Sequence, residues 1–231
     1  MAREQAAERW LFSCEHGGRE VPDEYEPVFR HAPDVLESHR GWDPGALEVF
    51  RAISPGLADA TFAATTTRLL IDLNRSLHHP RVLSEFTRPL PQAARDEIVA
   101  RWWRPWREAV ADAVAAWLAG GELVRHISVH SFTPVLHGKV RNADIGLLYD
   151  PGRERELGFC LRWQSLLLQR GWRVRRNYPY LGVADGHATA LRRRFGPRCA
   201  GIELEMNQAL FPGRLAELCA DLEATLRELR G

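Results

Sequence analysis

The chain has 231 residues, 45% hydrophobic and 26% charged, which is enough for one globular domain with a substantial core. Its formal net charge is +1, so there is no bulk electrostatic case for a nucleic-acid or anionic-membrane partner. No apolar run approaches membrane-spanning length, and the opening Met-Ala-Arg-Glu-Gln-Ala-Ala-Glu has no apolar signal core, so a cytoplasmic location is expected.

The four cysteines, Cys14, Cys160, Cys199 and Cys219, are too widely spaced for a disulfide framework or a zinc knuckle. Three of them sit in apolar contexts and read as buried thiols. Residues 10–13, Trp-Leu-Phe-Ser, read as a short buried strand that runs into Glu15, His16 and the pair Gly17-Gly18. A strand that stops there places an imidazole at a sheet's carboxyl edge, where open α/β sheets bind their ligands. Residues 19–33 read as a loop with a short helix, and Pro33-Asp34 opens a helical pattern that breaks at Gly41. Asp43-Pro44 has the cap-then-proline signature of a second helix running to Ile53. Residues 59–63 and 68–73 look like strands, and 76–91 like a surface loop.

A long amphipathic helix is predicted over 92–119, interrupted at Pro105 and ended by Gly120-Gly121. Strands are expected at 123–130, 144–149, 172–176 and 199–205. Helices are expected at 154–170, 185–195 and 212–230. The alternation of strands and helices argues for one α/β domain over 1–231, a three-layer α/β/α sandwich around a mixed central sheet.

Four predicted strands end in polar clusters: Glu15-His16, Asp72-Leu73-Asn74-Arg75, His130-Ser131-Phe132, and Glu203 with Glu205 ahead of Asn207-Gln208. On one sheet edge these would bring together two histidines, several carboxylates and an arginine. That inventory suits a catalytic zinc, a carboxylate base and a cation for an anionic substrate. Each residue also has a plainer account. His16 could cap a turn, His130 could be a hydrogen-bonded core histidine, Asp43 could cap its helix, Arg75 could pair with Asp72, and Glu205 could sit in a salt bridge. Against these accounts, all four polar clusters would have to coincide at strand ends.

The assembled residues resemble the N-formylglutamate amidohydrolase family. The matching segments are Ser13-Cys14-Glu15-His16-Gly17-Gly18, Gly41-Trp42-Asp43-Pro44-Gly45-Ala46, residues 67–75 ending in Asp72-Leu73-Asn74-Arg75, and His130-Ser131-Phe132-Thr133-Pro134. They continue with Arg141-Asn142-Ala143-Asp144-Ile145-Gly146, Asn177-Tyr178-Pro179-Tyr180-Leu181-Gly182 and Glu203-Leu204-Glu205-Met206-Asn207-Gln208, so the likeness spans residues 10 to 211 in order. It implies a fold similar to the zinc carboxypeptidases, of the phosphorylase/hydrolase-like kind, and zinc-dependent hydrolysis of an N-acyl amino acid such as N-formylglutamate by a metal-activated water.

Carried over to this chain, the resemblance makes His16 and His130 metal ligands, Glu205 the general base, and Asn74-Arg75 the grip on the substrate's α-carboxylate. Arg68 or Arg141 would help hold the oxyanion, and the loop from Asn177 with Tyr178 and Tyr180 would line or cover the pocket. Zinc carboxypeptidases pair their first histidine with a glutamate three residues later, but that position here is Arg19. The third ligand is then Asp43, at the start of the first long helix, or Glu20, in a loop, and the helix start is the more fixed of the two. The site would look the same in a zinc amidase or peptidase of another N-acyl or γ-glutamyl substrate. A non-catalytic relative that binds an acidic metabolite is the remaining reading.

Overall fold

A computed structural model describes residues 6–231, so the first five residues of the polar opening lie outside what is described. The strands are Glu8–Cys14 (β1), Ala60–Ala63 (β2), Leu123–Phe132 (β3), Val135–Leu136 (β4), Lys139–Val140 (β5), Ile145–Leu148 (β6), Val174–Arg176 (β7) and Cys199–Asn207 (β8). The helices are Glu26–Phe29 (α1), Pro33–Glu37 (α2), Ala46–Ile53 (α3), Gln92–Ile98 (α4), Arg104–Ala119 (α5), Glu154–Gln169 (α6), His187–Phe195 (α7) and Phe211–Arg230 (α8).

Six strands form one sheet in the order β2-β1-β3-β8-β6-β7. The first four run parallel, β6 is antiparallel to β8, and β7 is parallel to β6, which makes the sheet mixed. The remaining two strands, β4 and β5, make a small separate hairpin that the sequence pattern did not announce.

β3 and β8 are buried on both faces, and their two-residue side-chain period divides the interior. One face presents Ile127, Val129, Ile202, Leu204 and Met206, with Trp10, Phe12 and Cys14 of β1, to α3, α6 and α8. On the other, Leu11, Val124 and Cys199 pack with Val110, Ala111 and Val114 of α5 and Leu191 of α7. This is the expected three-layer α/β/α arrangement. A third apolar group, including Tyr25, Phe29, residues 69–71, Leu73 and Ile98, lies beside it.

Two local expectations are corrected and a third is refined. Residues 68–73 form a buried turn and not a strand: Leu70 N–H donates to Thr67 O and Asp72 N–H to Val82 O, so the backbone is satisfied without a sheet partner. The helix expected from Asp43-Pro44 begins at Ala46, behind Gly45 in the left-handed region at φ 77°, so the Asp43 side chain does not cap it. The long helix is interrupted as expected, with a π-helical stretch Val99–Trp103 just ahead of Pro105.

Helix α7, which reaches the site described below, is pinned by a buried ion pair. Arg192 donates to Glu156 Oε1 at 2.8 Å and to the carbonyls of Gly182 and Gly201, while Glu156 accepts the N–H groups of Gly201 and Asp150. Glu156 is fully buried and Arg192 is 3% exposed. Glu156→Ala leaves a buried guanidinium without its counter-charge and should cost about 3–5 kcal/mol in denaturant unfolding. A loss under about 1 kcal/mol would mean that the pair does not hold α7.

Candidate active site

At the carboxyl ends of β1, β3 and β8 the side chains facing α5 and α7 come in cross-strand rows. One row is Ser13, Ser128 and Glu203; His130 and Glu205 are opposite each other in the next, with Glu15 just beyond the end of β1. The apolar and polar halves of these strands are therefore opposite faces of the same residues' alternation.

His16 follows β1, and its carbonyl accepts the N–H of Asp43 at 2.9 Å. The chain turns at Gly18, where a Cβ would collide with the backbone of Thr65, so only glycine permits this close approach. Asp43 Oδ2 stands 3.3 Å from His16 Nδ1 and 2.9 Å from His130 Nδ1. The three side chains are buried, and one ligand atom from each lies within 4.8 Å of the others. They could hold a metal ion.

The outer nitrogens show how. His16 Nε2 is 2.8 Å from Asp72 Oδ1. Burial alone would raise Asp72, but Arg68 and His16 hold it well below the usual carboxylate range, so it is an ionised acceptor and Nε2 must donate. His130 Nε2 is 2.7 Å from Ser128 Oγ, and the single Ser128 hydroxyl proton goes to Glu15 Oε2 at 2.6 Å. Ser128 therefore accepts from His130. In their neutral forms both imidazoles keep the proton on Nε2 and turn a free Nδ1 lone pair toward Asp43. Two imidazole nitrogens and a carboxylate oxygen, each imidazole backed by a carboxylate directly or through a hydroxyl, form a donor set that fits a divalent transition metal.

Without such an ion the charge is balanced by protons. Burial would lower His130, but its bond to Asp43 and the charges of Asp43, Glu15 and Glu205 carry it up to about 10. Arg68 bridges Asp43 at 3.2 Å and Asp72 at 2.7 Å. Beneath His130 lies a buried polar network. Glu15 Oε1 accepts from Ser13 Oγ and meets His187 Nδ1 at 3.1 Å, and Ser13 also meets His126 Nε2 at 2.6 Å. Burial pushes His126 down to about 3.

Glu205, directly across from His130, is 5% exposed and has one oxygen without a partner. Burial raises its carboxyl, and the negative charges of Asp43 and Glu203 add to that against the pull of His130, to about 8. Asn74 is buried and accepts the His187 N–H, while half-buried Arg75 donates to Asp185 O and does not pair with Asp72. Arg141 stacks on Tyr180 and bonds its hydroxyl.

The structure brings His16, Asp43, His130, Arg68 and Glu205 together. It does not bring in Glu20, which is exposed and accepts from Thr65. The Asn177 side chain, expected to bind substrate, has its carbonyl committed to the N–H groups of Tyr149 and Gly182. Sequence reasoning missed Asp72 as the partner of His16, together with Ser13, Ser128, His126 and His187. Their signal was present in part: Ser13 and Ser128 lie two residues before Glu15 and His130, on the same face of their strands.

The sequence profile of the N-formylglutamate amidohydrolase family matches residues 8–211. None of the curated proteins matches the chain. Among solved structures, a gene product from Agrobacterium tumefaciens is 28% identical with a TM-score of 0.81, over 97% of this chain and 91% of that one. The N-formylglutamate amidohydrolase from Ralstonia eutropha is 22% identical with a TM-score of 0.71, over 98% of this chain and 94% of that one. A metallo-carboxypeptidase from Burkholderia cenocepacia shows a looser likeness, with 15% identity and a TM-score of 0.43 over 100% of this chain and 59% of that one.

The hydrogen-bond directions make a prediction. Ser128→Ala cuts the link from His130 to Glu15 and should weaken zinc affinity by about 10–100-fold in competition with a chromogenic chelator. Unchanged affinity in a folded variant would show that Ser128 does not orient His130.

Proposed function

The chain belongs to the N-formylglutamate amidohydrolase family, and on that premise we propose that it is a zinc-dependent enzyme that hydrolyses the N-acyl amide of an amino acid. The observation that carries this reading is the buried His16–Asp43–His130 cluster with Glu205 directly across from His130. His16 and His130 would hold zinc through Nδ1 and Asp43 through a carboxylate oxygen. When bound, the ion supplies a Lewis acid for the acyl carbonyl and lowers the pKa of water.

Glu205 is the general base. Its buried, unpartnered oxygen takes a proton from the attacking water and returns it to the leaving amine. Arg75 offers its guanidinium to the substrate's α-carboxylate, with Asn74 beside it. Arg75 is held by Asp185 O, and Asn74 by the N–H of His187, so both are positioned before substrate arrives. Arg141, half-buried against Tyr180, and the N–H groups of Arg68 not spent on Asp43 and Asp72 are the donors for the developing oxyanion. N-formylglutamate, the acidic compound expected from the sequence, is the reference substrate.

Two variants test the assignment. Glu205→Gln should keep its zinc and lose about 10²–10⁴-fold in kcat; an active Gln variant would remove Glu205 as base. Arg75→Ala should lower kcat/KM about 10–100-fold on N-formyl amino acids, as expected for losing a hydrogen bond to a charged group. It should have little effect on the same amides lacking the α-carboxylate. An equal loss on both would sink the clamp.

A further inference from the structure

The proposed mechanism leaves one acidic side chain of this region unused. Glu203 lies two residues before Glu205 on the same face of β8, across from Ser128 of β3. It is 9% exposed, and its oxygens are absent from the fully enclosed unpartnered atoms. Among the described residues no group donates a hydrogen bond to it; burial raises its pKa, and His130, Arg192, Glu15 and Arg75 act on it only through space. The nearby start of α7 does not satisfy it either, because the His187 N–H goes to Asn74 Oδ1. Its oxygens therefore keep a narrow contact with solvent, and no protein donor competes with a bound ligand for them.

Its position relative to the clamp says which part of a ligand would do so. Glu203 Oε1 and Asn74 Oδ1 each lie 3.3 Å from the point where a Cβ of Gly186 would stand, so the two oxygens are within twice that distance of each other. A substrate whose α-carboxylate sits at Asn74 and Arg75 therefore has its own side chain within reach of Glu203. A glycine at 186 keeps both oxygens clear of a side chain; a Cβ there would stand at a tight 3.3 Å from each.

We infer that Glu203 selects the substrate's side chain, favouring N-acyl amino acids that carry a hydrogen-bond donor there, such as an amide, ammonium or guanidinium, over those that carry a second carboxylate. This rests on the hydrolytic reading above and narrows its substrate class away from the acidic amino acid expected from the sequence. A side-chain donor pairs with Glu203, whereas the side-chain carboxylate of N-formylglutamate meets it as a like charge.

The test compares kcat/KM of the zinc-loaded enzyme on N-formyl-L-glutamate, N-formyl-L-glutamine and N-formyl-L-lysine, for the wild type and for Glu203→Gln, which keeps the shape and removes the charge. The wild type should favour the glutamine and lysine compounds over the glutamate compound by about tenfold or more. Glu203→Gln should erase that preference, mainly by speeding the glutamate compound. A wild type that ranks the glutamate compound first, or a Gln variant that scales all three alike, overturns the assignment. The wild-type ranking stands as a test even if the variant does not fold.

Calorimetric binding of free L-lysine, L-glutamine and L-glutamate to the zinc-loaded wild type and variant gives the same ranking without turnover. If none of the three amides is hydrolysed but lysine binds in a Glu203-dependent way, the hydrolytic reading fails and Glu203 keeps its role. If the amides are hydrolysed with the glutamate compound first, the Glu203 assignment fails alone.

Discussion

One buried carboxylate oxygen of Asp43 lies between two imidazole nitrogens, and the surrounding residues are arranged to keep it there. Burying a carboxylate costs several kcal/mol unless opposite charge and hydrogen bonds compensate. Here burial works against the charge of Glu15, Asp43 and Asp72, yet all three are held below their ordinary range by neighbouring imidazoles and, for the two aspartates, by Arg68. A single guanidinium spans Asp43 and Asp72, and the histidines carry the rest. The cluster therefore demands positive charge at its centre, which protons or a divalent cation can supply. The hydrogen bonds of the outer nitrogens point both inner lone pairs at that centre.

The same demand explains why the polar groups share one face of the sheet. A strand buried on both sides has to put its charges somewhere, and here the two-residue period puts those at the carboxyl end on one side, while Arg125, near the start of β3 on the apolar side, pairs with Glu8. β3 directs Ile127 and Val129 into the apolar layer and His126, Ser128 and His130 into the opposite one, and β8 does the same with Leu204 and Met206 against Glu203 and Glu205. The network beneath His130 thus comes without interrupting the core that packs against α3, α6 and α8. What it adds is rigidity: Glu15 is fully buried, and two serines and His187 hold it, so the support behind His130 has little freedom to move.

The layer architecture was legible because strand and helix periods are strong where both faces are buried, as in residues 123–130 and 199–205. His16, His130 and Glu205 were legible for a related reason, since a polar residue in or just after an apolar strand stands out. Residues 68–73 misled because Leu69, Leu70 and Ile71 are apolar for a different purpose. They fill a second apolar group from within a turn, and no local pattern separates that from a buried strand. Asp72 was missed as a consequence, because its role depends on a turn that brings it back to His16 across 56 residues of sequence. Ser128 and His187 were missed because a serine in a strand and a histidine at a helix start are common, and only the direction of their hydrogen bonds gives them meaning.

That long-range stitching also accounts for the departure at Arg19. A third ligand three residues after the first histidine would be placed by local geometry. Asp43, the ligand proposed here, is placed by backbone bonds between distant segments. Its N–H goes to His16 O, while Gly41 O accepts the Arg68 N–H at 3.0 Å and the Thr67 hydroxyl at 2.9 Å. The segments around residues 16, 41 and 67 are thereby fixed to one another before any ligand arrives, and Arg68 extends from the third of them to Asp43 itself. Arg19, released from any duty at the centre, pairs on the exposed side with Glu37 and lies over the Trp42 ring, one residue before Asp43. The position that cannot hold a cation has become a cover for the segment that can, and the rigidity a short local spacing would have supplied comes from the fold.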